Sequence, residues 1–299
     1  MKHHMSPDQI SQYKEDGYLI VRNFIDPTEL ETWRNTVDSA GKSLVLLGLS
    51  LRSNITILAP ALIILPTLHI SVQNRANMKL PDREFVGDLE DDEKYYESVF
   101  VQRLNLWKDN PPVKDLILDP EIGRIAAELA GVEGIRCWHD QALYKPPYGN
   151  PTSFHLDVPF WSFTTRNAIS IWVALDDVNE QNGCLYYMPG THTETSFDNP
   201  GITADMASIF NCYPQLKNRT VKPAIMKAGD VSFHNGNIIH GAGPNMTPKM
   251  RRAMTCAFMP DGSIFNGQRN ILSNAQVARL KVGDLMNDDE QNPLIWPRS

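Results

Sequence analysis

The chain has 299 residues, 42% of them hydrophobic, and a formal net charge of −7. That is enough for one large core or two small ones. No basic block offsets the acidity, so nucleic acid is excluded as an expected partner and a hydrated surface is the plain reading of the charge.

In chain order, the start MKHHM lacks an apolar signal-peptide core. His3 and His4 resemble a tag remnant, so residues 1–5 are set outside the site. Ser6, Pro7 and Gln9 form a helix-start signal with a capping-box pattern, and Gly17 ends that helix. YLIVRNF (18–24) reads as a strand. Asp26-Pro27-Thr28-Glu29 opens a second helix, predicted to run to about Gly41. Residues 44–70 are far more apolar than their surroundings and begin an atypical insertion placed at 44–80. Arg52 and Asn54 interrupt the run, Pro60 and Pro66 break it, and Ile55–Leu68 falls short of the roughly 20 residues a spanning helix needs. A packing insertion is expected there, not a membrane span.

VFVQRLNLW (99–107) reads as a strand, and Asp119-Pro120-Glu121 opens a helix stopping near Gly131. From 134 the texture turns to strands: IRCWHDQALYK, then a loop PPYGNPTS, then FHLDVPFWSF (154–163) and AISIWVAL (168–175). In AISIWVAL, Ile169, Ile171, Val173 and Leu175 share a packing face. Ala168, Ser170, Trp172 and Ala174 share the other, small and polar but for Trp172, as a cavity wall would be. Asn182-Gly183 is a tight-turn signal. CLYYMPGTH follows, then an excursion (193–220) with room for a short helix. VKPAIMKAGDVSFHNGNIIHGAG holds two strands and a Gly229-Asp230 turn. RRAMTCAFMP (251–260) is the last strand, and the polar tail is expected to lie on the surface. The layout predicts one mainly β domain with buttressing helices, a barrel or jelly roll with its core at about 134–260. Cys137, Cys184, Cys212 and Cys256 form no CxxC pair, which suits reduced thiols and a cytoplasmic setting. Nothing in the sequence fixes the oligomeric state.

His155 and Asp157 carry the chemistry. On a strand, residues i and i+2 project from one face, so both are expected to enter one cavity and to share a small cation. The third ligand is open among His69, His139, His192, His234 and His240. His240 lies in the glycine-rich HGAGPN and precedes Arg251 by eleven residues. Two histidines and a carboxylate would make the facial triad of a non-haem iron(II) oxygenase. A buried arginine beside it would need an anion such as a dicarboxylate, held by two parallel hydrogen bonds.

Four stretches together resemble the phytanoyl-CoA dioxygenase family of iron(II)- and 2-oxoglutarate-dependent oxygenases: DQISQYKEDGYLIVRNFIDPTELETWR, HLD at 155–157, NGCLYYMPGTH (182–192) and KAGDVSFHNGNIIHGAGPNMTPKMRRA (227–253). The resemblance implies a double-stranded β-helix (jelly roll, cupin-like) core. It implies His155, Asp157 and His240 as iron ligands, and Arg251 as partner of the distal carboxylate of 2-oxoglutarate. Gln141 and Trp172, and more loosely Gln102 or Asn105, match positions lining the co-substrate pocket. It implies an oxygenase that uses Fe(II), 2-oxoglutarate and O2, releases succinate and CO2, and abstracts hydrogen from the carbon of a small-molecule substrate. Hydroxylation is the default outcome, with desaturation or cyclisation beginning from the same abstraction. Asp157 disfavours halogenation, which needs its place at the metal for chloride. Ala242 stands where a hydroxyl residue is often found.

Other residues carry weaker expectations. His139, Trp161 and Arg166 are candidate substrate contacts, His234 and His192 are expected to be structural, and Arg252 to be exposed. The ending PRS is not a peroxisomal tripeptide and weakens an acyl-CoA reading. The competing readings are a metal-binding jelly-roll sensor or scaffold, against which Arg251 argues, and a cupin-like metal hydrolase or isomerase.

Overall fold

The structure, a computed structural model, describes residues 4–52 and 99–296, with 41–52 as backbone only. The expectations for 53–98, including most of the apolar insertion and His69, lie outside the described residues.

Helix α1 (Pro7–Asp16) begins on the capping box: the Ser6 hydroxyl accepts from the Gln9 amide and the Gln9 side chain accepts from the Ser6 amide. Gly17, at φ 79°, ends it in the left-handed region. Strand β1 (Tyr18–Val21) follows, then helix α2 (Pro27–Arg52), opened by the Asp26 carboxylate accepting from the Thr28 and Glu29 amides. The helix does not stop at Gly41. One glycine costs a helix only about 1 kcal/mol, and the leucine-rich KSLVLLGLSLR that follows restores helix preference.

Strand β2 is only Val101–Leu104, shorter than expected, because Asn105 at φ 57° leaves the strand. A single helical turn, α3 (Leu106–Asp109), comes next, tethered where the buried Asp140 carboxylate accepts from the Leu106 and Trp107 amides at 3.0 Å each. Helix α4 (Pro111–Ile117) had no sequence forecast; helix α5 (Pro120–Ala130) ends at left-handed Gly131 as read.

Strands β3 (Ile135–Lys145), β4 (Thr152–His155), β5 (Ile169–Ala174), β6 (Leu185–Tyr187), β7 (Lys222–Ala224), β8 (Val231–Asn235), β9 (His240–Ala242), β10 (Arg251–Pro260) and β11 (Leu294–Trp296) complete the sheets. The larger sheet runs β1-β8-β5-β10-β3-β11, with β2 also on β3; the smaller runs β4-β9-β6-β7. Every pairing is antiparallel. The two sheets form the double-stranded β-helix, or jelly roll.

The alternation in β5 is resolved as its pattern demands. Ile169, Ile171, Val173 and Leu175 pack on the helical side with Trp33, Val37 and Ile125, while Trp172 and Ala174 join Leu143, Leu185, Tyr187, Ala242 and Ala253 between the sheets. Arg252 is not free at the surface. It is three-quarters buried and pairs with Asp176 at 2.6 Å and Asp38 at 2.7 Å, tying β10 to α2. Nor is the tail a surface wrapping alone: β11 pairs with the start of β3, and the Asn292 amide donates to the Cys137 and Trp138 carbonyls. Leu272 and Met286 bury beside Trp138 and Phe163. The excursion carries two 3-10 turns, Ser208–Asn211 and Pro214–Leu216. Among the described residues no helix is long and apolar enough to cross a membrane.

Candidate metal and co-substrate site

The strand expected to carry both His155 and Asp157 ends at His155. Pro159 lacks an amide proton for a ladder, and Asp157 turns to φ −83°, ψ −47° at the head of a 3-10 turn, Val158–Phe160. The Asp157 and Val158 amides both donate to the Gly236 carbonyl, at 2.9 and 3.0 Å, pinning the turn beside the end of β8. Convergence therefore comes from this turn and not from strand alternation. His240 heads β9 and is the cross-strand partner of His155.

Ligand atoms of His155, Asp157 and His240 all lie within 4.8 Å of one another. Both histidine Nε2 atoms face the same carboxylate oxygen, Asp157 Oδ1, at 3.5 Å from His155 and 3.7 Å from His240. Each Nδ1 meets a carbonyl, Ser153 at 2.8 Å and Ile238 at 3.1 Å, so the proton sits there and each Nε2 lone pair turns inward. Burial, with the other histidines adding to it, pushes His240 down to about 3. Burial alone would raise Asp157, but the surrounding histidines, His240 first, hold it well below the ordinary carboxylate range. Neutral imidazole and ionised carboxylate are the states a divalent cation requires, so the donor set fits iron(II).

His234, expected to be a structural strand histidine, lies against this set. Its Nε2 is 3.4 Å from Asp157 Oδ2, whereas the nearest oxygen to both His155 and His240 is Oδ1. Its Nδ1 is 3.2 Å from the Tyr187 hydroxyl, itself 2.9 Å from the Ser232 hydroxyl.

Arg251 opens β10 and is 2% exposed. Its Nη2 donates to the Gly183 carbonyl at 3.2 Å, and its guanidinium stands 5.2 Å over the Trp172 ring. Nε and Nη1 are buried with no partner in the protein. Burial lowers its pKa to about 10, still charged at neutral pH. A buried guanidinium with two idle donors fits one carboxylate of 2-oxoglutarate. Thr152, directly opposite Ala242 across β4 and β9, also has a buried hydroxyl without a partner.

The remaining candidates divide. Gln141 is half-buried on β3, on the same side of the strand as Leu143, whose register partner on β2 is Gln102. His139 is buried with an unpartnered Nδ1, edge-on to Trp161 at 6.1 Å, and burial lowers it to about 4 although Asp157 pulls the other way. Trp161 itself is core, against Phe163. Arg166 donates to the His192 and Thr195 carbonyls and stands over Phe197, and His192 meets the Lys14 carbonyl. These two are not drawn into the metal cluster.

A jelly roll with two inward histidines, one carboxylate and a buried arginine defines the class of non-haem iron, 2-oxoglutarate-dependent dioxygenases. The model for phytanoyl-CoA dioxygenase (PhyH) matches residues 13–253, and the chain belongs to that family. It is 25% identical to the bovine peroxisomal phytanoyl-CoA dioxygenase over 263 residues, 85% of this chain and 68% of that protein. It is 27% identical to a probable alpha-ketoglutarate-dependent hypophosphite dioxygenase of Stutzerimonas stutzeri, over 42% of this chain and 46% of that one. Among solved structures, the non-heme alpha ketoglutarate dependent carbocyclase SnoK has a similar fold, with TM-score 0.69 and 22% identity, covering 97% of this chain and 96% of that one. The epimerase SnoN, solved with Fe3+, alpha ketoglutarate and nogalamycin RO, matches with TM-score 0.63 and 20% identity over 96% and 97% of the two chains.

Proposed function

We propose that the protein hydroxylates an unactivated carbon of a small-molecule substrate, with His155, Asp157 and His240 as iron ligands and Arg251 as the clamp on the distal carboxylate of 2-oxoglutarate. One observation carries this reading: two inward Nε2 atoms face a single carboxylate oxygen, and Arg251, buried over Trp172 between the sheets, keeps Nε and Nη1 without partners. Bound iron(II), with 2-oxoglutarate and O2, supplies the oxidising chemistry and releases succinate and CO2. The chain's own residues orient and exclude. Ser153 and Ile238 fix the imidazole tautomers, His234 engages Asp157 Oδ2, Trp172 floors the guanidinium, and Gln141 and Gln102 border the co-substrate. Of the candidate substrate contacts, His139, on which the charge of Asp157 acts, is the one we assign to the side from which substrate would approach. A cytoplasmic setting fits Cys137, Cys184 and Cys256, which are buried thiols outside any disulfide; the mammalian relatives are named peroxisomal.

The test is succinate release in the presence of Fe(II), 2-oxoglutarate and a panel of small molecules. Turnover, coupled or uncoupled, is expected from the native chain and is expected to vanish in Asp157→Ala. Failure to bind 2-oxoglutarate together with no succinate from any substrate would sink the reading.

A further inference from the structure

Arg251 is not the only cation buried between the sheets. Lys145, the last residue of β3, is its register partner across β10. Alternation puts Lys145 on the same side of β3 as Leu143, between the sheets, and it is 0% exposed. Gly183 joins the two side chains. Its carbonyl accepts from Arg251, and a Cβ on it would lie 2.6 Å from Lys145 Cδ, so only glycine lets the lysine stem pass. The Lys145 ammonium donates to the Asn150 carbonyl and stands 4.7 Å over the Phe100 ring.

Among the described residues no carboxylate forms an ion pair with Lys145 or Arg251; Asp176, whose charge acts on Arg251, is bonded to Arg252 instead. Two like charges side by side in a dry interior are costly unless an anion joins them. The backbone beneath them is braced for such a ligand: the Asn245 amide donates to the carbonyls of Lys145, Pro146 and Lys249 at 3.3, 2.9 and 2.7 Å, fixing the end of β3 against the start of β10.

We propose that Lys145 is a second anchor for the distal carboxylate of 2-oxoglutarate, sharing it with Arg251. This rests on the reading of Arg251 as the co-substrate clamp. Arg251 contributes Nε and Nη1; Lys145 contributes the ammonium protons not committed to Asn150. Burial, then the charge of Arg251, lowers Lys145 to about 7. The groups facing it are Arg251 from β10, the Phe100 ring and the Asn150 carbonyl, with the Cys184 thiol beside Arg251. Near pH 8 an arriving carboxylate therefore draws a proton onto the lysine.

The experiment is calorimetric titration of oxygen-free, Mn(II)-loaded protein with 2-oxoglutarate and with 2-oxopentanoate, which keeps the chelating end and replaces the distal carboxylate by a methyl group. Lys145→Met is expected to weaken 2-oxoglutarate about tenfold or more and to leave 2-oxopentanoate within about twofold. Equal weakening of both ligands, or of neither, would overturn the proposal, the first because Lys145 then only shapes the cavity. If Lys145→Met does not fold, the native protein decides. Titration near pH 8 in two buffers of different ionisation enthalpy must show proton uptake with 2-oxoglutarate and none with 2-oxopentanoate; no difference refutes a role for the lysine. A native protein that does not prefer 2-oxoglutarate, or an Arg251→Met variant that binds it normally, would instead remove the underlying reading of Arg251.

Discussion

At Asp157 the two carboxylate oxygens have different company. Oδ1 is the oxygen nearest the Nε2 atoms of His155 and His240, while Oδ2 is the one nearest His234. A carboxylate only accepts, so His234 Nε2 meets Oδ2 as an N–H donor in the tautomer that leaves Nδ1 to face the Tyr187 hydroxyl at 3.2 Å. Such partners orient a ligand and typically matter about 10–100-fold in metal affinity. His234→Leu is expected to weaken metal binding by that factor in a Co(II) titration, with His234→Gln, which keeps an N–H donor, retaining most of it. Unchanged affinity in His234→Leu would remove the positioning role. In the sequence, HLD and HGAGPN name His155, Asp157 and His240 because ligand chemistry demands those residue types and the resemblance orders them. The role of His234 depends on which oxygen it meets, a fact of side-chain geometry. Lys145 was equally hidden: it closes the strand read from IRCWHDQALYK, but only the register of β3 on β10 shows that it stands opposite Arg251.

At the scale of elements, α2 is the brace of the larger sheet. Trp33 and Val37, both 0% exposed, pack against the helical side of β5 and β8. Arg34 donates to the Leu175 carbonyl at 2.7 Å, and Asp38 receives Arg252. Trp33→Ala is expected to lower stability by about 3–5 kcal/mol in denaturant unfolding, the range for a large buried aromatic, and a loss under about 1 kcal/mol would mean that α2 is not so anchored. The long strands were legible because their patterns are long: β3 and β10 occupy the ranges read from IRCWHDQALYK and RRAMTCAFMP. The errors fall where tertiary contacts override local preference. Asp140 captures the amides of Leu106 and Trp107 and converts the end of a forecast strand into a helical turn. Polar tail residues are recruited by free backbone groups at the start of β3. At Asp157 the strand yields to a turn set by Pro159 and the Gly236 carbonyl.

For the whole molecule, the cation pair makes stability, pH and co-substrate one linked problem. The folded-state pKa of Lys145 is lowered from the ordinary 10.5 to about 7. Between those values the unfolded chain holds a proton that the native protein does not, so the stability of the unliganded protein rises with pH across that window. Below it both states are protonated, and the cost of burying the charge is fully present. A dicarboxylate removes that cost, and it binds without proton uptake only when the lysine is already charged. At a concentration of 2-oxoglutarate 100 times its Kd, the gain is about 2.7 kcal/mol, or roughly 4 °C in Tm for a domain of this size. The expected result, in Mn(II)-loaded protein without oxygen, is that 2-oxoglutarate at fixed concentration raises Tm more than 2-oxopentanoate at about pH 6.5, and that the difference shrinks at about pH 9.5 as Lys145 loses its proton. In Lys145→Met the residual difference, due to Arg251, should stay flat over the same range, because the arginine keeps its charge to about 10. A difference that grows with pH in the native chain would contradict the linkage, since it would require the uncharged lysine to hold the carboxylate better than the charged one.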